Sequence, residues 1–161
     1  YKRLWRETVL LLTDEFSADQ LLFAYSPDFF NTKESYLEYY PGDDMVDILG
    51  MDLYQHWNVA SFSKNLGTSL KILSGVAKEK QKLFAVTESG VNKVRVADWW
   101  TTAIDTQLAN SGATWALFWR NARKSHHFAS FPGHKSAPDL LRLREKDHVL
   151  FLKDIAIIKP N

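Results

Sequence analysis

Residues 83–90 have the sequence LFAVTESG, and this stretch decides the fold class. A short apolar run followed by a carboxylate and a glycine is typical of a buried parallel strand with polar residues at its carboxyl end. Folds of the α/β class place catalytic and binding side chains at that end of the sheet. We therefore predict a strand from Leu83 to Thr87 with Glu88 at its mouth. The competing interpretation is a solvated glutamate in the turn after a strand.

Three other segments share the nearly continuous apolar pattern of a strand that is covered on both faces. They are Leu21 to Ser26, Val46 to Tyr54 and Thr114 to Trp119. Four strands cannot close a parallel barrel, which needs eight, so the sheet is either open or half of a larger structure.

Helical patterns lie between the predicted strands, because apolar residues recur there at intervals of three and four. This alternation predicts the α/β class, with a parallel sheet joined by right-handed crossovers. The helical patterns cover residues 5–16, 62–77 and 96–108, with a short turn of helix in 31–44 and a last helix capped by Ser136.

The composition excludes several classes of function. The formal net charge is +1 and the lysines and arginines are scattered, so we predict no nucleic-acid partner. No apolar run approaches the roughly 20 residues that span a bilayer, so we predict no membrane span. There is no cysteine, which removes disulfides and thiol chemistry. Residues 1–16 lack the pattern of a signal peptide, and we expect the sequence to start within a longer protein.

Polar and aromatic residues follow all four predicted strands. The carboxyl ends of neighbouring parallel strands meet at one edge of a sheet, so we predict that these side chains line a single cavity. They offer no metal-ligand spacing and no phosphate-binding glycine loop, so we predict neither a metal nor a cofactor. Aromatic rings stack on the C–H faces of sugars while polar groups bind the hydroxyls, which favours a carbohydrate ligand. The segments concerned are 25–28, 52–55, 87–90 and 119–121.

Four motifs in this order and spacing resemble the C-terminal half of glycoside hydrolase family 26, whose best-known members are endo-β-1,4-mannanases. The resemblance implies a (β/α)8 TIM barrel, of which this chain supplies strands five to eight and their helices. It also implies that residues 1–161 form the C-terminal half of a single catalytic barrel. The motifs are YLEYYPGDDMVDILGMDLYQ (36–55), KLFAVTESG (82–90), WALFWRN (115–121) and FPGHKSAPDLL (131–141).

The same resemblance assigns roles to individual residues. It implies that Glu88 is the catalytic nucleophile and that Tyr54 donates a hydrogen bond that orients it. Trp119 corresponds to the aromatic platform under the sugar at the cleavage point, and Arg120 to the arginine of the neighbouring subsite. His56 and Trp57 are candidates to border the cleft and bind substrate.

Several aromatic residues have a competing structural interpretation. Trp119 could pack in the core, although Trp115 is the better core candidate by alternation along the strand. Trp99 and Trp100 lie in a helical pattern and are predicted to be packing residues. His126 and His127 lie in a polar segment, and we predict that they are surface or rim residues.

The activity implied by the resemblance is retaining hydrolysis of internal β-1,4-mannosidic bonds in mannan or galactomannan. A β-1,3-xylanase, a mixed-linkage glucanase and a non-catalytic glycan-binding fragment remain alternatives. The family's acid/base motif, a strand ending in His-Glu, does not occur in this sequence. We therefore expect the chain to be inactive without a complementary N-terminal half of the barrel. The resemblance also implies an extracellular, cell-surface or periplasmic location.

Overall fold

A computed structural model describes residues 1–155 and shows the predicted alternation of helices and strands. The strands are β1 (Ala24–Tyr25), β2 (Ile48–Tyr54), β3 (Leu83–Gly90) and β4 (Ala116–Phe118). The helices are α1 (Lys2–Leu10), α2 (Lys33–Leu37), α3 (Val59–Lys80), α4 (Thr106–Leu108), α5 (Ala137–Arg144) and α6 (Leu152–Ile155). Two π-helical segments, Leu11–Glu15 and Trp100–Asp105, and one 3-10 turn, Asp43–Met45, complete the described elements.

The four strands form one parallel sheet in the order β1, β2, β3, β4, as the crossover pattern predicted. The outer strands are much shorter than their apolar runs, because β1 has two residues and β4 has three. In contrast, β3 extends beyond the predicted end at Thr87 and continues to Gly90. Glu88 therefore lies within the paired part of β3 rather than in a loop after the strand.

Helix α3 covers one face of the sheet and is the longest helix among the described residues. The side chain of Asn58 caps its first turn by accepting a hydrogen bond of 2.8 Å from the Ser61 backbone N–H. It ends at Gln81, which adopts the left-handed conformation with φ of 54°. The apolar side of the helix lies in the same core as the outward residues of β2, and its buried members are Phe62, Leu66, Leu70, Leu73, Val76 and Ala77.

The helical pattern over residues 96–108 takes an irregular form. A π-helical segment, Trp100–Asp105, runs directly into the single turn of α4. Trp99 and Trp100 are 0% and 1% exposed, which confirms the prediction that both are packing residues. Their indole N–H groups are also satisfied, since Trp99 donates to Gln55 and Trp100 donates to Ser130.

Two predictions about individual residues are wrong. Trp115 is not a core residue: it is 39% exposed, because it immediately precedes the edge strand β4 and no other described strand continues the sheet beyond β4. His127 is not at the surface: it is 7% exposed, because Phe131 and His134 pack against its ring.

The sheet is open within residues 1–155, and large apolar side chains stand exposed near both of its outer strands. They include Leu4, Phe16 and Leu22 in the segment before β1, and Trp115 and Leu117 at β4. Exposed apolar surface of this extent is typical of an interface. In the same described part of the chain, each helix is too short or too polar to cross a membrane.

Candidate active site

A β-bulge in β3 determines where Glu88 points. Met51 pairs with Val86 and Asp52 pairs with Glu88, so Thr87 is an extra residue with no partner on β2. A bulge of this kind reverses the alternation of side chains beyond it. Glu88 consequently lies on the same face as Thr87, and Ser89 takes the buried outward position, where its hydroxyl donates to the Leu53 carbonyl over 2.8 Å.

The side chain of Glu88 meets that of Tyr54 at the carboxyl end of the sheet. The phenol of Tyr54 donates a hydrogen bond of 2.9 Å to Oε2 of Glu88, and both residues are partly buried. Burial, followed by the hydrogen bond and the charge of Glu88, raises the pKa of the Tyr54 phenol well above its usual range. Tyr54 therefore stays a proton donor and keeps one oxygen of the carboxylate fixed.

A second hydrogen-bonded cluster, formed by Ser26, Asp52 and Thr87, contacts the bulge. Asp52 Oδ1 accepts hydrogen bonds from the Ser26 hydroxyl at 2.8 Å and from the Thr87 hydroxyl at 3.1 Å. Burial raises the pKa of Asp52, the two hydroxyls lower it, and the negative charge of Glu88 raises it further, with a net increase. A Cβ at Gly50 would lie 2.6 Å from the Thr87 hydroxyl, so the glycine leaves the room that the bulged side chain occupies.

Trp119 and Arg120 follow β4 at the same edge of the sheet. The Trp119 backbone N–H donates to the Ser89 carbonyl over 3.1 Å, which places Trp119 beside the end of β3. Phe118 packs against the buried Trp100, with ring centroids 4.9 Å apart. Side-chain alternation, continued one residue past the end of β4 at Phe118, predicts that Trp119 projects to the opposite face, on which Tyr54 and Glu88 lie. Trp119 is half-buried and Arg120 is exposed.

His56 and Trp57 form the tip of the connection between β2 and α3, where Trp57 is 86% exposed. Two grooves flank this tip and share both residues as a wall. One has a volume of about 240 Å³ and includes Tyr54 and Phe29; the other, of about 580 Å³, includes Arg95. Neither groove is lined by Glu88, Trp119 or Arg120. The predicted substrate-binding residues therefore divide into a central pair, Trp119 and Arg120, and an outer pair, His56 and Trp57.

One residue next to this site was not predicted from the sequence. Phe128 is 8% exposed, and its ring lies edge-on to that of Tyr54 with centroids 5.6 Å apart. It belongs to the long segment after β4, whose composition gave no sign of a buried aromatic residue at the sheet. The glycine of the TESG motif was the one local signal, because the backbone at Gly90 has φ of 150° and lies against the Phe128 ring.

Among residues 1–155, no three His, Cys, Asp or Glu side chains are grouped so that they could hold a metal ion. The chemistry that this part of the chain offers at the sheet edge is that of a carboxylate held by a tyrosine hydroxyl, with Trp119 and Arg120 following the neighbouring strand β4. That combination suits covalent attack on a sugar and recognition of its ring.

The model of glycosyl hydrolase family 26 matches residues 1–122. The chain belongs to this family. A mannan endo-1,4-beta-mannosidase from Bifidobacterium adolescentis is 38% identical over 96 residues, covering 56% of this chain and 10% of that protein. The resemblance drawn from the four motifs is thereby confirmed.

Solved structures of the family share this fold. A family 26 beta-mannanase from Bacteroides ovatus is 37% identical, with a TM-score of 0.91 over 96% of this chain and 45% of that one. A double mutant of an endo-beta-1,4-mannanase from Cellulomonas fimi is 33% identical, with a TM-score of 0.86 over 94% of this chain and 36% of that one. This family 26 chain thus spans less than half the length of the structures that it matches, and its parallel sheet corresponds to part of a TIM-barrel fold.

Proposed function

We propose that this chain supplies the nucleophile of a retaining endo-β-1,4-mannanase. The observation that carries the proposal is the hydrogen bond between Tyr54 and Glu88 at the carboxyl end of a parallel sheet. Membership of glycosyl hydrolase family 26 supports hydrolysis of glycosidic bonds. The similar mannan endo-1,4-beta-mannosidase and mannanase structures support mannan or galactomannan as the substrate.

In this proposal Glu88 performs the first chemical step. One carboxylate oxygen attacks the anomeric carbon, and the bond to the leaving oxygen breaks as a glycosyl ester forms. A second carboxyl group protonates the leaving oxygen and then takes a proton from the water that hydrolyses the ester. Tyr54 binds Oε2 of Glu88, so the other oxygen remains directed at the sugar.

Trp119 and Arg120 would bind the mannosyl units around the cleavage point. The half-buried indole offers an apolar face to a sugar ring, and the exposed guanidinium offers several donors to hydroxyl groups. His56 and Trp57 would bind the polymer further out, where two grooves adjoin their side chains. The outer pair therefore contributes to affinity for long chains, and the central pair to positioning at Glu88.

The acid/base carboxyl group would come from a complementary N-terminal half of the barrel, with this chain supplying strands five to eight. A retaining enzyme needs its two carboxyl groups about 5 to 5.5 Å apart. The apolar side chains exposed at both outer strands support such a partner, because closing the barrel would bury them. Leu22 and Leu117, 71% and 45% exposed, mark the two edges.

The test is to produce this sequence together with a segment carrying strands one to four and to measure reducing ends released from mannan. We expect activity that disappears in Glu88→Gln. Glu145→Gln is the matched control, because Glu145 is exposed at the end of α5, and we expect it to retain full activity. Release of reducing ends by the Glu88→Gln mixture would exclude Glu88 as the nucleophile.

Two alternatives give different outcomes in the same assay. Release from β-1,3-xylan or mixed-linkage β-glucan with none from mannan would indicate another family activity. Binding of mannan without release by the assembled mixture would indicate a non-catalytic glycan-binding fragment. Retention is tested by NMR of the first product, which keeps the β configuration in a retaining enzyme and changes to α in an inverting one.

A site that acts on a polysaccharide works where the polymer is present, so we propose an extracellular, cell-surface or periplasmic location. Fractionation of the source cells with an antibody against this chain tests this. Signal confined to the cytoplasmic fraction would contradict it.

A further inference from the structure

Phe128, in the segment after β4, contacts the ring of Tyr54, the residue that donates a hydrogen bond to Glu88. Its ring is edge-on to Tyr54, with an angle of 80° between the ring planes. Edge-to-face packing of this kind restricts rotation of both rings. The Tyr54 side chain is therefore fixed at its hydroxyl by Glu88 and along its ring by Phe128.

Asn121 holds the segment that carries Phe128. Its Oδ1 accepts hydrogen bonds from the backbone N–H groups of Phe128 at 3.0 Å and Ala129 at 2.9 Å, and its Nδ2 donates to the Ala129 carbonyl at 3.0 Å. Residues 121–125 are exposed, and the same loop is also held at His127, whose backbone N–H donates to Asn92 Oδ1 and whose carbonyl accepts from the Lys93 N–H.

The backbone of β3 is shaped to receive the Phe128 ring. A Cβ at Gly90 would lie 2.7 Å from Cδ1 of Phe128, which is too close for any side chain. On its other side, the ring meets that of His126 with centroids 5.0 Å apart. The ring is thus enclosed between β3, Tyr54 and His126, although residues 121–125 of the same segment are exposed.

We propose that Phe128 is a positioning residue for Tyr54 and, through it, for the nucleophile Glu88, with Asn121 fixing Phe128. This inference rests on the proposed function and adds residues that act on the reaction without contacting substrate. Removing the ring lets the Tyr54 side chain tilt, so the carboxylate loses its fixed orientation. A misplacement of about 1 Å at a reacting group can cost on the order of a hundredfold in rate.

The test is a double-mutant cycle on the assembled enzyme. We expect Phe128→Leu to lower kcat about tenfold with KM within about twofold, because substrate contacts remain. In the Tyr54→Phe background, we expect Phe128→Leu to lower kcat less than about twofold, because the hydrogen bond that it protects is already absent. Equal losses in the two backgrounds, or no loss in either, would overturn the proposal.

Phe131→Leu is the matched control, since this phenylalanine lies in the same segment, is 44% exposed and packs on His127 and His134. We expect its kcat to equal that of the unsubstituted enzyme. If Phe128→Leu fails to fold, Phe128→Met tests the same contact with an unbranched side chain of similar volume.

A second readout does not depend on turnover. Tyrosine labelled with 13C at Cζ reports the hydrogen bond of each phenol, and the Tyr54 signal is assigned from Tyr54→Phe. We expect Phe128→Leu to shift this signal and Phe131→Leu to leave it unchanged. An unshifted Tyr54 signal in Phe128→Leu would contradict the positioning role. If that signal shifts but mannan hydrolysis survives Glu88→Gln, the proposed function is contradicted instead.

Discussion

The hydroxyl of Tyr54 lies 2.9 Å from Oε2 of Glu88, and this contact crosses between β2 and β3 just beyond the bulge at Thr87. Without the extra residue, strand alternation would direct Glu88 to the face covered by helices. A hydrogen bond between residues 34 positions apart therefore depends on one irregularity of pairing.

Removing the Tyr54 hydroxyl tests the role of this contact. We expect Tyr54→Phe in the assembled enzyme to lower kcat by roughly ten- to a hundredfold, because hydrogen bonds to charged groups contribute about 1.5–3 kcal/mol. Steady-state kinetics on mannan measure this. Tyr39→Phe is the control, since Tyr39 is 54% exposed, and we expect no change in its kcat. An unchanged kcat for Tyr54→Phe would show that Glu88 needs no orientation by this phenol.

The titration of Asp52 gives a pH dependence of stability. Burial raises the pKa of Asp52 in the folded chain, so the native state holds its proton at pH values where the unfolded chain has lost it. We therefore expect its contribution to favour the folded state below about pH 3.9, the ordinary value, and to be lost as the pH rises through the raised pKa.

Asp52→Asn removes this titration while keeping an oxygen that can accept from Ser26 and Thr87. Relative to the unsubstituted chain, we expect the free energy of unfolding of this variant to increase as the pH rises across that window. Urea unfolding at a series of pH values measures the difference. If the free energies of unfolding of the two proteins change in parallel with pH, the raised pKa of Asp52 is contradicted.

Asp139 has the opposite pH dependence. Burial by itself raises the pKa of this carboxyl, but hydrogen bonds from Thr101 and Arg142 outweigh it and hold the pKa below its usual range. The stabilisation is thus present above the ordinary aspartate pKa of about 3.9 and is lost as the pH falls through the lowered value.

Asp139 is 0% exposed and joins α5 to the π-helical segment after Trp99. We expect Asp139→Ala to lower the free energy of unfolding by about 1–3 kcal/mol at neutral pH, because the Thr101 backbone N–H and hydroxyl lose their acceptor. Asp147→Ala, at an exposed position after α5, serves as a control with a small expected effect. A loss that persists unchanged at pH 2 would contradict the ionic contribution.

Two glycines give opposite expectations for the same substitution. A Cβ at Gly50 would lie 2.6 Å from Thr87 and 3.0 Å from Ser26, whereas a Cβ at Gly75, in α3, would have no neighbour within 4 Å. We expect Gly50→Ala to destabilise the chain by about 1–3 kcal/mol. Gly75→Ala should stabilise it by about 0.5–1 kcal/mol, because alanine favours the helix. Denaturant midpoints measure both, and a stabilising Gly50→Ala would show that the bulge does not need this space.

The α/β class and the position of Glu88 could be predicted because both depend on local pattern. Apolar runs indicated the strands, and their spacing indicated a parallel sheet. The ends of β1 and β4 were less predictable, because an edge strand pairs on one side only and its length depends on its neighbour. The prediction that Trp115 lies in the core failed at the same edge of the sheet. Alternation assigns a side chain to a face, but it does not say whether another element covers that face.

The sequence by itself determined the order of the elements, the carboxylate at the end of β3 and membership of glycosyl hydrolase family 26, because short-range apolar periodicity and contiguous motifs carry that information. Only the tertiary structure decided the bulge at Thr87 and the packing of Phe128 against Tyr54. Both require residues far apart in the chain to meet, Gly50 with Thr87 and Gly90 with Phe128, and such close approaches leave no trace in local pattern except a glycine.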